Sequence, residues 1–339
     1  MKRTIFALAL GSQLVTALPS VHRRSDTTAQ QAGYISVSVA TIWTDSSKPR
    51  PVDAPALTNP ADIEGWLDSM TVDQYLDLTD SDRTQTQALY GTRVDILSQQ
   101  DGWYEVAVEG QPTPKNSLGY PGWMPAAQVS LDSSYGQLLS NKPFAAVDKV
   151  ATAPLYRDAL MTETYLEISY DTRLPVIDHF GGLIQVAVPG GGSAYLSARH
   201  ATVYDSVSNI PYPTGKDLVN AGKLFLGRPY LWGGSSAFAF DCSGFTHTLY
   251  DARGITIARD SDAQADFTGH GTQIAQSELE PGDLIFYASN LTNPSSIYHV
   301  AMYAGNAEML EAYGAGIPVR ITPVRFNDDY WGAERFLTH

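Results

Sequence analysis

Residues 240–250, FDCSGFTHTLY, contain Cys242, the only cysteine of the chain. Apolar residues recur at helical spacing through this stretch, and Gly254 follows them as a C-terminal stop. We therefore predict a helix from about Cys242 to Arg253. Because the sulfur lies in the first turn, the partial positive charge and free N–H groups of that helix end favour a thiolate over a thiol.

This thiol has a second interpretation, because most free cysteines are inert buried residues rather than nucleophiles. A single cysteine has no partner for an internal disulfide, which is unusual in an exported protein. Asp241 and Ser243, on either side of Cys242, are equally typical helix-capping residues. A catalytic role for the sulfur requires a base held within reach of it.

The first 24 residues have the pattern of an export signal. Met1–Arg3 is basic, residues 4–18 are mostly apolar, and Val15-Thr16-Ala17 offers a small-residue cleavage site. The apolar run is too short for a stable membrane span. Arg23-Arg24 fits dibasic processing, or an unprocessed solvated pair. We expect residues 1–24 to be a signal peptide and propeptide, and the mature protein to be secreted and extracellular.

Net charge limits the partners of the mature protein. The full chain has a formal net charge of −14, and removing the four basic residues within positions 1–24 changes it to −18. Such an acidic surface argues against a nucleic-acid partner and against electrostatic binding to anionic lipid. We expect a soluble monomer that makes no membrane contact once the signal is removed.

An internal repeat organises the first two thirds of the chain. Residues 92–97, TRVDIL, are echoed by residues 172–177, TRLPVI, and residues 103–108, WYEVAV, by residues 183–188, LIQVAV. Each copy has short period-two alternation between turn residues, which predicts a small β-barrel. The pattern DGWYEV…GYPGWMPAAQV resembles bacterial SH3-like domains.

We predict a first SH3-like barrel at residues 34–131 and a second at residues 145–206. An insertion at residues 54–80 has apolar side chains at roughly helical spacing, which predicts one or two short helices. Residues 207–215 are a linker, and residues 215–339 form a third domain.

The third domain combines helices with strands. A helix is predicted from Asp217 to Leu226, ended by Gly227 and Pro229, and the helix at Cys242 follows it. Strands are predicted at residues 283–287, 297–304 and 308–312. Helices followed by an antiparallel sheet give an α+β domain.

Seven histidines compete for the role of base: His22, His179, His200, His247, His270, His299 and His339. His22 is lost with the processed segment. His247 is five residues after Cys242, about 500° around the helix, and therefore points away from the sulfur. His299 lies on a predicted strand, where a lone histidine is more often structural than catalytic. The others fit solvated loops, barrel edges or the terminus.

Glu311 lies on the next predicted strand, joined to the first by the turn Gly305-Asn306-Ala307. In such a hairpin His299 and Glu311 share a face and lie close together. A carboxylate there would fix the imidazole tautomer and stabilise the imidazolium. Alone, Glu311 would be read as an exposed strand acid.

Four ordered segments carry a family resemblance: PYLWGGSSAFAFDCSGF (229–245), ARDSDAQ (258–264), LEPGDLIFY (279–287) and YHVAMYAGNAEMLEA (298–312). They resemble the successive signatures of the NlpC family of papain-like cell-wall cysteine peptidases. The resemblance implies Cys242 as nucleophile, His299 as base and Glu311 as the third polar residue, a position where the family often has His. It also implies that Tyr230 and the N–H of Cys242 form the oxyanion site.

The resemblance extends upstream through SVATIWTDSSKPRPVDAPAL (38–57), TQALYGTRV (86–94) and GYPGWMP (119–125). These segments resemble the tandem SH3-like domains of γ-D-glutamyl-L-diamino-acid endopeptidases, which act on muropeptides with a free N-terminal L-Ala. The resemblance implies a substrate-binding set of Tyr120, Asp241, Ser243, Asp260 and Ser261. That subgroup tends to carry an acid where this chain has Thr92, which points to amine recognition that is weaker or is supplied by other residues.

Two other functions stay open. An N-acetylmuramoyl-L-alanine amidase or an acyltransferase on the same scaffold would use the same thiol on a different bond. A non-catalytic wall-binding module would keep the barrels and lose the triad, but all three positions here hold competent side chains. No zinc-protease, phosphate-loop or serine-elbow motif competes. We expect no cofactor and no metal.

Overall fold

A computed structural model describes residues 31–266 and 271–338. The predicted signal peptide and propeptide, residues 1–24, lie outside the described residues, as do His22, His270 and His339. None of the described helices is long and apolar enough to span a membrane.

The first domain is a seven-stranded antiparallel sheet in the order β3-β2-β6-β5-β4-β1-β7. Its strands are β1 (Gln31–Ile35), β2 (Val39–Trp43), β3 (Thr84–Leu89), β4 (Arg93–Gln100), β5 (Trp103–Val108), β6 (Tyr120–Pro125) and β7 (Val129–Ser130). Alternate residues of these strands face a core that includes Ile35, Ile42, Val94 and Val106. The sheet occupies the region predicted for the first barrel.

The insertion between β2 and β3 contains three helices rather than one or two: α1 (Ala54–Leu57), α2 (Ile63–Ser69) and α3 (Val72–Asp80). Thr71 and Gln74 form a capping box at the start of α3. Trp66 of α2 is fully buried, and its indole N–H donates to Asp53. The insertion is therefore packed onto the sheet by an aromatic anchor.

A helix that the sequence analysis did not predict, α4 (Ser133–Asn141), connects the first sheet to the second. The second sheet has the order β10-β9-β13-β12-β11-β8-β14. Its strands are β8 (Phe144–Val147), β9 (Thr152–Tyr156), β10 (Thr164–Ser169), β11 (Arg173–Phe180), β12 (Leu183–Ala187), β13 (Ser193–Ser197) and β14 (Ala201–Tyr204). Strands β8–β14 occupy the same positions in this sheet as β1–β7 do in the first. The sequence repeat therefore corresponds to a repeated topology.

The third domain packs helices against a six-stranded antiparallel sheet in the order β17-β22-β18-β19-β20-β21. Its elements are α5 (Gly215–Gly222), β15 (Ser235–Ser236), β16 (Ala239–Phe240), α6 (Cys242–Asp251), α7 (Ser261–Asp266), β17 (Thr272–Ile274), β18 (Leu284–Ala288), β19 (Ile297–Gly305), β20 (Glu308–Glu311), β21 (Arg320–Pro323) and β22 (Tyr330–Arg335). The α+β class predicted from the sequence is confirmed.

The predicted elements of this domain differ from the observed ones mainly at their ends. The α-helix predicted for residues 217–226 is α5, which ends at Gly222 and continues as a 3-10 turn, Lys223–Phe225. The helix predicted to reach Arg253 ends at Asp251. The predicted linker includes a 3-10 turn, Val207–Asn209.

Both small sheets pack directly against the third domain. Trp43 and Trp66 share an apolar cluster with Leu231 and Phe238, and Tyr170 from the second sheet packs edge-on against Phe225 at 5.3 Å between ring centroids. Strand β3 also bonds across the boundary. The main polar contacts are Thr84 Oγ1 to the carbonyl of Trp232 (2.6 Å) and Gln87 Oε1 with the N–H of Ser235 (3.1 Å). The first sheet therefore forms one wall beside α6.

Candidate active site

Helix α6 begins at Cys242, and two local features place the sulfur at its N-terminus. Asp241 is the N-cap residue, and its Oδ1 accepts the N–H of Gly244 at 2.6 Å. A Cβ on Gly244 would lie 2.0 Å from the carbonyl oxygen of Gly234. Only glycine therefore allows the preceding turn to close over the first turn of α6.

The thiol is buried, with Cys242 only 5% exposed. Burial raises the pKa of the Cys242 thiol to about 12, and the charge of Asp241 raises it further. Backbone N–H groups of Val300 and Ser243 oppose this, because they hydrogen-bond to the sulfur. Burial therefore outweighs the helix end, which by itself favours a thiolate. Deprotonation requires a base.

The candidate base, His299, lies on strand β19. Val300, whose N–H reaches the sulfur, directly follows His299, and α6 packs against this strand. His299 is 3% exposed, and Tyr287 and Tyr313 contact its ring with centroids 5.7 and 5.3 Å away. The imidazole is thus held in a fixed plane by two aromatic rings, one residue before the backbone N–H that reaches the sulfur.

Glu311 orients this imidazole. The β19–β20 hairpin turns at Asn306 and Ala307, both with positive φ, and places His299 Nε2 2.9 Å from Glu311 Oε2. Because an ionised carboxylate only accepts hydrogen bonds, Nε2 carries the proton of the neutral imidazole and donates a hydrogen bond to Glu311. Nδ1 is then the nitrogen free to accept a proton from the thiol.

Two arginines accompany Glu311, which is fully buried. Arg320 donates to Oε1 at 3.0 Å, and Arg325 donates to Oε2 at 3.1 Å. Burial opposes ionisation, but the bonds and charges of His299 and Arg325 outweigh it and lower the pKa of Glu311 to about 2. Burial lowers the pKa of His299, and Glu311 only partly offsets this. Near neutral pH the pair is therefore a carboxylate with a neutral imidazole.

Tyr230 lines the same cleft as Cys242 and is 8% exposed. Burial, together with the nearby Cys242 and Asp241, raises the pKa of its phenol well above the usual value. The hydroxyl is therefore a permanent donor. The N–H of Cys242 lies at the first helical position, which has no intrahelical acceptor. Donors of this kind stabilise a developing oxyanion.

A cleft of about 760 Å³ opens at the sulfur. The third domain lines it with Tyr230, Trp232, Cys242, Asp260–Asp262 and Ile297–Tyr298, and the first domain with Thr79, Asp82, Thr84–Gln85, Lys115 and Tyr120. Two domains thus enclose the cleft, and the predicted binding residues Asp241, Ser243 and Ser261 also line it.

Tyr120 and Asp260 meet across the domain boundary. The Tyr120 hydroxyl lies 2.8 and 2.9 Å from the two carboxylate oxygens of Asp260. Burial, followed by the charge of Asp260, raises the pKa of Tyr120, so the phenol stays protonated and donates. Lys115 completes this cluster with an ion pair to Asp260 at 3.2 Å. Sequence analysis singled out Tyr120 and Asp260 but not Lys115.

Asp241 does not have the role that was expected for it. Arg259, which is 1% exposed, donates to both of its oxygens at 3.0 and 2.8 Å, and Gly233 N–H donates to Oδ2 at 2.9 Å. Arg259 also donates to Ser243 Oγ at 3.1 Å. The carboxylate of Asp241 is therefore already paired, and it holds the start of α6 rather than a free site for an ammonium group.

The substitution at Thr92 does not bear on the cleft. Thr92 lines a separate cavity of about 300 Å³ between the domains, together with Arg173, His247 and Asp251. Gln85, the residue just before the segment TQALYGTRV (86–94), does line the cleft. The register of β3 decides which side chain reaches the cleft, and the motif alone does not show it.

The remaining described histidines lie elsewhere. His247 lines the separate cavity, where its Nδ1 lies 2.9 Å from the carbonyl of Ile257. His179 is exposed on β11, and His200 is half-buried near the second sheet. Within residues 31–266 and 271–338, no group of three or more His, Cys, Asp or Glu side chains is arranged to hold a metal ion.

Comparisons with known proteins agree with this architecture. Residues 227–337 match the model of the NlpC/P60 family, and residues 149–204 match that of the YKFC SH3b2 domain. The first match spans every element of the triad, and the second covers most of the second sheet.

Two curated relatives match most of the chain. One from Bacillus cereus (strain ATCC 10987 / NRS 248) is 43% identical over 90% of each protein, and one from Bacillus subtilis (strain 168) is 35% identical over 84% of this chain and 90% of its own. Both are named gamma-D-glutamyl-L-lysine dipeptidyl-peptidase. A crystal structure of an NlpC/P60 family protein from Bacillus cereus ATCC 10987 is 42% identical, with a TM-score of 0.85 over 91% of this chain and 100% of that one.

Proposed function

The chain belongs to the NlpC/P60 family of peptidases, and we propose that it hydrolyses the bond between γ-D-glutamate and the following diamino acid in peptidoglycan-derived peptides. One observation carries this proposal: a two-domain cleft reaches a buried thiol, and the strand whose Val300 N–H contacts that sulfur also holds His299, hydrogen-bonded to Glu311. The Bacillus relatives support the choice of bond, since their names specify γ-D-glutamyl-L-lysine.

In the first half of the proposed reaction, the Cys242 thiol gives its proton to His299 Nδ1. The sulfur attacks the side-chain carbonyl carbon of D-glutamate, and the resulting oxyanion accepts from the Tyr230 hydroxyl and the Cys242 N–H. His299 then gives the proton to the α-nitrogen of the diamino acid. The C–N bond breaks, leaving a thioester on Cys242.

Water completes the cycle. His299 Nδ1 takes a proton from a water molecule whose oxygen attacks the thioester carbonyl. The C–S bond breaks, the sulfur recovers a proton from the imidazolium, and the peptide leaves with a free carboxylate. Glu311 stays ionised throughout, as its pKa of about 2 requires, and stabilises the imidazolium each time it forms.

We also propose that the free amine of N-terminal L-Ala binds at Asp260 and Tyr120, with Ser261 lining the same end of the cleft. Asp260 has the carboxylate that an ammonium needs, and the phenol adds a hydroxyl oxygen. In this proposal Asp241 and Ser243 act indirectly, because Arg259 ties both to the start of α6.

Product analysis tests the reaction. Purified protein is expected to convert L-Ala-γ-D-Glu-L-Lys to L-Ala-D-Glu and lysine, identified by mass spectrometry. N-acetylation of the L-Ala should lower kcat/KM by about 10- to 100-fold, as expected for losing one charge-assisted hydrogen-bond set. Cys242→Ala protein is the matched blank. In a parallel digest of N-acetylmuramoyl-L-Ala-γ-D-Glu-L-Lys, cleavage between muramic acid and L-Ala would show the amidase, and both enzymes would be contradicted if neither substrate changed.

We further propose that the mature enzyme acts outside the cell, since the basic and apolar segments within residues 1–24 have the order of an export signal. Protein recovered from culture medium should begin after Ala17 or after Arg24, as read by N-terminal sequencing. An intact N-terminus retained with the cells would contradict export.

A further inference from the structure

The loop between β5 and β6 places a cation of the chain itself inside the cleft. Lys115 Nζ lies 3.2 Å from Gln85 Oε1 and 3.2 Å from Asp260 Oδ2, and it also contacts the hydroxyl of Tyr120. The ammonium stands 4.4 Å from the centre of the Tyr120 ring. Three oxygen acceptors from two domains therefore converge on one –NH₃⁺ group.

This cluster has the composition of a complete ammonium site. An –NH₃⁺ group has three N–H donors and no acceptor. The Tyr120 hydroxyl donates its own proton to Asp260, so its oxygen is free to accept. Gln85 supplies an amide oxygen and Asp260 the negative charge. The three donors of Lys115 are matched by three acceptors, so a second ammonium would have to share these oxygens with Lys115 or displace it.

We propose that Lys115 is a specificity-determining residue, a tethered competitor that the α-ammonium of a peptide must displace. This inference rests on the proposed function in that the same Asp260–Tyr120 site receives the substrate amine. Displacement is mechanically simple: Lys115 is about half exposed, at 45% of its side chain. Its loop is flanked by Gly110 and Gly119, which have φ of +83° and +143°.

This competition lowers the affinity of the site for every peptide with a free amine. An exposed ion pair of this kind is weak, so we expect the penalty to be about 3- to 10-fold in affinity. N-blocked peptides have no ammonium to compete and escape it. Lys115 thereby reduces the difference in affinity between peptides with a free amine and N-blocked peptides. Its side chain moves into the solvent when the peptide ammonium binds.

Titration calorimetry on Cys242→Ala protein measures the affinity for free and N-blocked peptides without turnover. L-Ala-γ-D-Glu is titrated into Cys242→Ala and into Cys242→Ala/Lys115→Met, whose added side chain keeps the length without the charge. We expect the dissociation constant to fall about 3- to 10-fold in the double variant. For N-acetyl-L-Ala-γ-D-Glu it should be unchanged. Lys115→Arg should behave as Lys115, and Lys142→Met, on the exposed end of α4, controls for lost surface charge.

The outcomes separate this inference from the proposed function. The proposal that Lys115 competes with the substrate amine is overturned if the free-amine ligand binds the Lys115→Met protein equally or more weakly. It is also overturned if that ligand binds neither protein. An equal gain for the acetylated ligand also overturns it, since the charge would then act on something other than the amine. If tighter binding is seen but the tripeptide is not cleaved by the protein with Cys242, the ammonium site stands and the proposed reaction fails.

Discussion

Replacing His299 with Gln is expected to lower kcat/KM for L-Ala-γ-D-Glu-L-Lys by about 10³- to 10⁴-fold. Burial raises the pKa of the Cys242 thiol to about 12, so the nucleophile depends on a neighbouring base for deprotonation. Glutamine keeps much of the side-chain volume and can still donate to Glu311, but it cannot accept the proton at the Nδ1 position. Steady-state kinetics on the purified variants measure the loss.

Two other histidines provide the controls. His179→Gln, exposed on β11, should retain the activity of the unaltered protein. His247→Gln tests the nearest histidine in sequence, which lines a different cavity, and any loss there should follow lost stability rather than kcat. A folded His299→Gln protein keeping more than a tenth of the activity would remove His299 from the mechanism.

The dependence of kcat/KM on pH tests the His299–Glu311 pair. The imidazole must be unprotonated to act as base, and burial lowers its pKa, so kcat/KM should persist below the usual histidine pKa of about 6.5. The charge of Glu311 opposes that lowering. Glu311→Gln should therefore move the acidic limb to lower pH, while kcat falls because the imidazolium loses its counter-charge. A limb moving to higher pH would contradict this arrangement.

Much of the site follows from local sequence patterns. The period of the apolar residues places Cys242 at a helix start, and the short turn after β19 places His299 and Glu311 on one face, where the structure brings them to 2.9 Å. Both inferences rest on geometry that a few consecutive residues determine. The repeat likewise predicts the paired sheets, because each strand depends mainly on its own alternation.

What the sequence does not show depends on contacts between distant segments. Lys115 and Gln85 face the cleft because one loop and one strand of the first domain reach across to Asp260, and no periodic pattern encodes that approach. The burial of Cys242 also depends on contacts between distant segments. A helix end is visible in sequence, whereas the degree of burial that outweighs it depends on the packed fold.

Arg259 is the clearest example, and its replacement should have the largest effect on stability. Its guanidinium is buried and donates to Asp241, Ser243, Thr86 and the carbonyl of Gly234. Arg259→Met leaves the carboxylate of Asp241 buried without its counter-charge. Breaking a buried pair in this way costs about 3–5 kcal/mol, which we expect in the free energy of unfolding measured with urea at pH 7.

A double-mutant cycle separates the missing charge from the missing side chain. Asp241→Asn removes the charge but keeps an oxygen that can accept the N–H of Gly244, so the helix start is preserved. In Arg259→Met/Asp241→Asn protein no buried charge is left unpaired, and the stability loss should be smaller than in Arg259→Met alone. Additive losses would contradict a coupled pair. Since Thr86 belongs to β3 of the first domain, part of the loss should persist in the double variant, because the bond from Arg259 Nε to Thr86 joins the two walls of the cleft.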